Sequence, residues 1–432
     1  MKTYSFLRGG VSYDDPTVPS TEKSAAAFLP IYSVIPLTQQ GGKVSPVVSI
    51  GDTVKEGMLI GKASGHHAAN VHATVPGRVI RNITWEDSSG RPIDAFVIKM
   101  EGSFDRLGRH EEIFPWTGMS GHELQRVIAE YGVVEMEGSG KPVSELISSF
   151  RNKGEHLTLV VRCVFDDPWL AADNVLCKER LKEVVEGSFI MAKAGIKVGR
   201  IVFAVSSKEQ ALGESLLFES ASGNIPASLV LVGSRYPQRN HRELEQVLQA
   251  FSKNEGIELG SLLILGPATM AAVYDAVKLK KPTLDRYIAV GGSAVKCPQV
   301  LKVRIGTRLA EVFAECGGFS APPQIIAEGS PLNGRIVTNL NQPVLKTSYA
   351  FYAMKNAQAT KWKEQNCISC GECRSVCPVG LDPEELYKQA IMNNIQKVTA
   401  ECHNCGCCQI VCPSHLPLAT VIMEKFKEQR HG

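Results

Sequence analysis

Cys367-Ile368-Ser369-Cys370-Gly371-Glu372-Cys373-Arg374-Ser375-Val376-Cys377-Pro378 sets a spacing that returns in Cys402-His403-Asn404-Cys405-Gly406-Cys407-Cys408-Gln409-Ile410-Val411-Cys412-Pro413. Each run places two residues between its first three thiols, three before the fourth, and proline directly after. Two-residue gaps let the backbone curl around one face of a compact metal cluster, presenting three thiolates and several N–H groups to it. A fourth thiolate has to come from elsewhere, and the proline stops the chain from continuing as it entered. Zinc favours separated pairs of ligands in tetrahedral sets. In a chain whose start lacks an apolar signal core, grouped cysteines read as metal ligands before disulfides.

The spacing is that of two-cluster bacterial ferredoxins, in which the fourth cysteine serves the other cluster. It therefore predicts two [4Fe–4S] clusters, one on Cys367, Cys370, Cys373 and Cys412, the other on Cys402, Cys405, Cys408 and Cys377. Cys407 lies between ligands and reads as a non-ligand. Of 13 cysteines in all, Cys163, Cys177, Cys297 and Cys316 are scattered and read as small buried hydrophobes. Iron–sulfur clusters move single electrons, so a two-electron donor would need a flavin as converter. The rest of the chain must supply a flavin site or a docking surface.

Outward from the cysteines, 432 residues suggest about three domains. With 44% hydrophobic and 21% charged residues, the composition is that of an ordinary globular protein. A net charge of +3 from 47 basic and 44 acidic side chains gives no case for nucleic acid. The longest apolar runs, near Leu157–Val161 and Leu262–Leu265, have strand length, so no membrane span is expected.

Residues 1–115 alternate short β-branched runs with glycine turns, as in a small barrel or sandwich. Residues 116–284 alternate apolar strands with helices over Glu123–Tyr131, Asn174–Gly195, Glu243–Phe251 and Ala268–Leu279, which favours a Rossmann-like α/β domain with a parallel sheet. Residues 285–347 read as strands around one helix that opens after Thr307 and stops at Gly317-Gly318. Residues 348–432 read as helical apart from the cysteine turns.

The whole chain resembles the C subunit of the Rnf complex, the membrane-bound ion-translocating ferredoxin:NAD oxidoreductase. The residues that carry the resemblance are Gly9-Gly10-Val11, Ile35–Gln39, Val48–Val54, Val71–Gly77, Pro168–Asn174, Arg235–Gln238, Gly329–Gly334 and Cys408–Leu418. The resemblance implies a multidomain α/β protein with four parts: a lipoyl-like barrel-sandwich domain, a flavin-type α/β domain, a β-grasp (soluble-ligand-binding) domain and an α-helical two-cluster ferredoxin domain. Gly65–His72 contains no lysine to carry lipoate, so the first domain reads as unmodified. Its His66, His67 and His72 read as solvated loop residues.

The family's flavin and nicotinamide loop resembles GxGGAGFPT followed by a lysine. Here the stretch is Glu135-Met136-Glu137-Gly138-Ser139-Gly140-Lys141-Pro142-Val143. The resemblance puts FMN at Gly138 and Gly140 of this loop and at Asp167, yet two loop glycines are Glu135 and Glu137. The family's NxAECEP element is altered too: Arg162 replaces the asparagine and Phe165 a glutamate, leaving Asp167-Pro168. Like charges about 4 Å apart repel by roughly 4 kcal/mol at an effective dielectric near 20, so the loop argues for a scaffold that has lost its flavin.

The resulting expectation is an electron-transfer subunit, peripheral on the cytoplasmic side of the cell membrane. Its partners would be the other Rnf-type subunits, with ferredoxin, flavodoxin or NADH as carrier. Two alternatives stand beside it: a self-sufficient FMN-dependent NADH dehydrogenase subunit, and a soluble cobalamin-reductase-like flavoprotein.

Overall fold

In the computed structural model, the residues described are 2–37, 42–86, 92–104, 112–151, 156–355, 363–392 and 402–431. The centre is a five-stranded sheet in the order Thr3–Tyr4, Ala227–Val232, Val198–Ser206, Leu157–Cys163 and Ser261–Leu265, parallel throughout. The strands read as continuous apolar runs because both faces are covered. Leu159, Val161, Ile201 and Phe203 face one core and Val160, Val202, Ala204 and Val230 the other. Helices Leu181–Ala194 and Pro267–Lys278 cross so closely that a Cβ on Gly187 would lie 2.1 Å from the Met270 carbonyl oxygen.

The single helix expected over Asn174–Gly195 is two, Ala171–Glu179 and Leu181–Ala194. They break at Arg180, whose guanidinium donates to both oxygens of Asp275 at 3.1 and 2.6 Å.

The barrel-sandwich part pairs a four-stranded sheet (Tyr32–Pro36, Pro92–Met100, Gly77–Glu86, Thr53–Val54) with a three-stranded one (Val44–Pro46, Leu59–Ala63, Val71–His72). Val54, Ile60, Val79, Phe96 and Ile98 fill it. A third, six-stranded sheet runs Arg335–Ile336, Ile325–Glu328, Ala350–Met354, Asp285–Gly291, Gln299–Arg304 and Ser24–Ala26, with helix Leu309–Glu315 against it.

Three expectations need correction. Residues 350–354, read as part of the helical tail, form a strand between two others, because Phe351 and Ala353 complete the apolar core of this sheet. Thr3–Tyr4 and Ser24–Ala26, grouped with the barrel, instead edge the parallel and six-stranded sheets. Thr307 does not cap helix Leu309–Glu315; the cap position is Arg308, without a side-chain cap bond.

The parts are joined by buried polar contacts. Arg304 meets Glu56 at 2.7 Å between the six-stranded sheet and the barrel. Lys346 Nζ donates to the Gly132 carbonyl at 2.7 Å.

Candidate functional site

The carboxyl-terminal tail folds as two copies of one backbone pattern. Ser369, Gly371 and Gly380 have φ of 51°, 78° and 74°; the matching Asn404, Gly406 and His415 have 52°, 79° and 53°. Left-handed residues at these places turn successive N–H groups toward a common concavity. Short helices Glu372–Ser375 and Cys407–Ile410 follow Gly371 and Gly406. Helix Pro383–Ile391, capped by Asp382, and helix Leu418–His431 close the tail.

Two small cavities of matching size result, each about 30 Å3. The first is walled by Cys367, Cys370, Cys373 and Cys412. The second is walled by Cys402, Cys405, Cys408 and Cys377, with Cys407 on the same wall. Each thus gathers three thiols of one run and the fourth of the other. The two runs are tied where they cross: Gln365 N donates to the Ser414 carbonyl at 3.0 Å, and Ser414 Oγ donates to the Asn366 carbonyl at 3.0 Å. Backbone N–H groups already point at sulfur, Leu381 N to Cys377 Sγ at 3.2 Å and Ser369 N to Cys367 Sγ at 3.4 Å.

Among the described residues, no three His, Cys, Asp or Glu side chains converge on a single-ion site. A zinc ion with Zn–S near 2.3 Å draws its thiolates to within about 3.8 Å of one another. The all-thiol donor sets, in the doubled spacing of the two runs, are those of iron–sulfur ligation.

The cavities differ in their surroundings. Cys367 and Cys370 are exposed. The second cavity is pressed against the body: Gly10 N donates to the Val376 carbonyl at 2.8 Å, and Arg8 Nη2 to the Val379 carbonyl at 3.3 Å. A Cβ on Gly406 would lie 2.5 Å from the Leu332 carbonyl oxygen. His403 Nδ1, between two of the cysteines, is 3.2 Å from buried Glu243 of helix His241–Glu255, whose carboxylate raises the imidazole pKa. Tyr236 is buried nearby; burial first, then Cys405 and Cys407, pushes its phenol up. Tyr13 lies edge-on to it at 6.5 Å and donates to Asp167 Oδ1 at 2.5 Å.

The flavin-type loop is hydrogen-bonded largely to itself. Val134 bridges Pro142, Glu135 N donates to the Lys141 carbonyl at 2.8 Å, and Gly140 N (φ +63°) donates to the Glu135 carbonyl at 3.0 Å. Glu135 folds back to accept from Glu137 N at 3.1 Å and from Ser139 N. Glu137 reaches the start of helix Pro267–Lys278, accepting from Thr269 N at 2.9 Å and from Thr269 Oγ1. Asp167 accepts from Trp169 N at 3.0 Å as well as from Tyr13.

Behind the loop lies a buried charge network that sequence reasoning missed. Arg286 Nη2 is 3.2 Å from Asp173 Oδ1 and donates to the Met136 carbonyl at 3.4 Å; Arg239 is 3.7 Å from Asp173 Oδ2. Arg162 stands 3.9 Å from Glu135. Burial first, then Arg239, pushes Arg162 down to about 10. Burial pushes the Asp166 carboxyl up to about 7. Glu137 is raised by burial, then by Glu135 and Asp173. The available signals were charged residues inside apolar strands, Arg162 in Leu157–Cys163 and Arg286 before Tyr287-Ile288.

The histidines and scattered cysteines divide. His66 and His67 are exposed, at 4.0 and 3.2 Å from Glu145, an acidic neighbour the sequence hid. His72 is buried rather than solvated, parallel to Tyr131 at 6.3 Å, with its pKa lowered to about 3 by burial and then Lys346. Cys163, Cys177 and Cys316 are buried as expected; Cys297 is exposed.

Four family models match in order: the RnfC barrel sandwich hybrid domain over residues 5–103, the Nuo51 FMN-binding domain over 128–275, the SLBB domain over 287–336 and a 4Fe-4S dicluster domain over 360–413. Together with the fold they define a class, modular iron–sulfur proteins built on an α/β body. An NAD+-reducing [NiFe]-hydrogenase chain has the same fold over 73% of this chain and 63% of its own, at a TM-score of 0.53 and 13% identity.

The C subunit of the ion-translocating oxidoreductase complex of Rhodobacter capsulatus is 30% identical over 88% of this chain and 74% of that protein. Its counterpart in the proton-translocating ferredoxin:NAD(+) oxidoreductase complex of Clostridium ljungdahlii is 29% identical over 88% and 83%. The counterpart in the Na(+)-translocating complex of Acetobacterium woodii is 26% identical over 81% and 79%. The chain belongs to the RnfC family, the C subunits of ion-translocating oxidoreductase complexes.

Proposed function

We propose that the chain is the electron-transfer subunit of an Rnf-type ion-translocating oxidoreductase, relaying single electrons through two [4Fe–4S] clusters. One would be held by Cys367, Cys370, Cys373 and Cys412, the other by Cys402, Cys405, Cys408 and Cys377. The observation that carries this reading is the pair of cavities, each walled by three thiols of one run and the fourth of the other. Bound clusters supply one-electron chemistry. The chain's own contribution is to place the thiolates, aim N–H groups at sulfur and exclude water from the body side. Such hydrogen bonds and solvent access set cluster potentials.

The first group, with Cys367 and Cys370 exposed, would face a partner, and the second, with Cys402, Cys405 and Cys408 half-buried, would face the body. Among the described residues no helix is long and apolar enough to cross a membrane, so attachment would come through the other subunits, on the cytoplasmic side. Ferredoxin, flavodoxin or NADH would stand at the far end of the route.

Anaerobic purification with iron and sulfide analysis tests the proposal. About eight of each per chain is expected from two cubanes. Zinc, or iron near zero after reconstitution, would refute it.

A further inference from the structure

We propose that this chain holds no flavin, because Glu135 and Glu137 occupy the donors that a flavin phosphate would need. Every redox event on the chain is then a one-electron step at the tail.

A glycine-rich loop next to a helix start holds a phosphate by offering unshared backbone N–H groups. Here most of the loop's donors, the N–H groups of Glu137, Ser139 and Gly140, and Thr269 N at the helix start already have partners within the chain. The Glu135 carboxylate takes the N–H groups of Glu137 and Ser139. The Gly140 N–H goes to the Glu135 carbonyl. At the helix start, the Glu137 carboxylate takes Thr269 N. It lies so close over Gly266 that a Cβ there would be 2.3 Å from the Glu137 carboxyl carbon.

Charge points the same way. A phosphate brought beside two buried carboxylates would meet repulsion of several kcal/mol. Each nearby cation already stands beside a carboxylate of the chain, Arg286 and Arg239 at 3.2 and 3.7 Å from Asp173 and Arg162 at 3.9 Å from Glu135, although Arg286 Nε and Nη1 and Arg162 Nε have no hydrogen-bond partner among the described residues. Asp167, the other expected contact, is held by Tyr13 and Trp169. The residues present therefore do not fit FMN.

A hydride carries two electrons, and no group on this chain could then divide them. The reaction class that feeds or drains it must be one-electron exchange with a redox protein, and hydride conversion falls to another subunit. This consequence rests on the relay reading, whereas the absence of flavin does not.

The test uses the full chain with its clusters reconstituted, titrated anaerobically with FMN and followed by flavin fluorescence and equilibrium dialysis. The expected result is no saturable binding, and no bleaching of the clusters by NADH with FMN added. Glu135→Gly with Glu137→Gly should raise FMN affinity at least tenfold, about 1.4 kcal/mol, at unchanged iron content. Near-stoichiometric FMN on the unaltered chain would overturn the proposal, whether or not the double variant folds. A folded double variant without any gain would overturn the role given to the two carboxylates. Iron content is read separately, so failure here leaves the cluster assignment standing, and the reverse.

Discussion

Cys412→Ser separates crossed from uncrossed ligation. Cys412 lies in the second run, four residues past Cys408, yet it walls the first cavity with Cys367, Cys370 and Cys373. Its position is pinned by its N–H to the Gln409 carbonyl at 3.3 Å and by His415 N to its own carbonyl at 3.0 Å. Serine keeps the shape and removes the thiolate. Three thiolates remain around the first cavity and four around the second. Total iron should fall from about eight per chain to about seven if one vertex is lost, or about four if the whole cubane goes. The assay is iron analysis with electron paramagnetic resonance of the reduced protein, run beside Cys367→Ser and Cys402→Ser. Cys412→Ser should reproduce the spectrum of Cys367→Ser, with the second group's signal intact and magnetic coupling between the groups lost. A spectrum matching Cys402→Ser would refute the crossing. Cys377→Ser is the mirror control, expected to match Cys402→Ser.

Gly406→Ala and Gly371→Ala impose the same left-handed strain, about 1–2 kcal/mol, but only at Gly406 would the added Cβ also lie 2.5 Å from the Leu332 carbonyl oxygen, whereas at Gly371 it would meet nothing within 4 Å. Hydrogen exchange should show the tail loosened from the body in Gly406→Ala and little changed in Gly371→Ala. Arg304→Met removes a buried guanidinium that meets Glu56 at 2.7 Å and Asp285 at 3.3 Å and should destabilise the barrel junction by about 3–5 kcal/mol, read as a lower melting temperature. His72 is neutral in the folded state down to about pH 3. Below its unfolded pKa of about 6.5 the unfolded chain therefore gains the proton, and stability falls by up to about 1.4 kcal/mol per pH unit between 6.5 and 3. His72→Phe keeps the ring beside Tyr131 and should flatten the melting-temperature slope between pH 7 and 5; an unchanged slope would contradict the assignment. Thr269→Val strips a hydroxyl from Glu137 and from Met136 N and should cost about 1–3 kcal/mol without altering iron content.

The cysteine grouping was legible in the sequence because cluster ligation is local chemistry, with spacing set by the object the chain must wrap. The parallel sheet was legible for a similar reason, since a strand covered on both faces leaves an unbroken apolar run. What escaped depends on partners distant in sequence. Ala350–Met354 carries no alternation to mark it as a strand; it is extended because strands Ile325–Glu328 and Asp285–Gly291 flank it. Ser24–Ala26 is short and largely exposed, and the Gln299–Arg304 edge gives it pairing. Glu135 and Glu137 could be seen to be out of place, but not what they reach: Thr269 lies 132 residues from Glu137. His72 gave no sign of its burial under Tyr131.

The α/β body has structural reasons to keep its form even without a flavin. Arg286 comes from the six-stranded sheet, yet it binds Asp173 and the Met136 carbonyl of the body, while Trp169 lies 5.2 Å from Tyr352 across the same junction. A guanidinium this deeply buried is tolerable only if its carboxylate partner is held in place, so the network that closes the loop also locks two parts together. The same body presents Glu243 to His403 and seats Tyr236 beside the second cavity, and Gly10 binds the segment before Cys377. Because the tail repeats its own backbone, its two cavities would be equivalent in isolation; docking gives them unequal surroundings, the first with Cys367 and Cys370 exposed and the second resting on the body. A relay with distinct ends requires that inequality, and here it is supplied by the surface against which the second repeat rests.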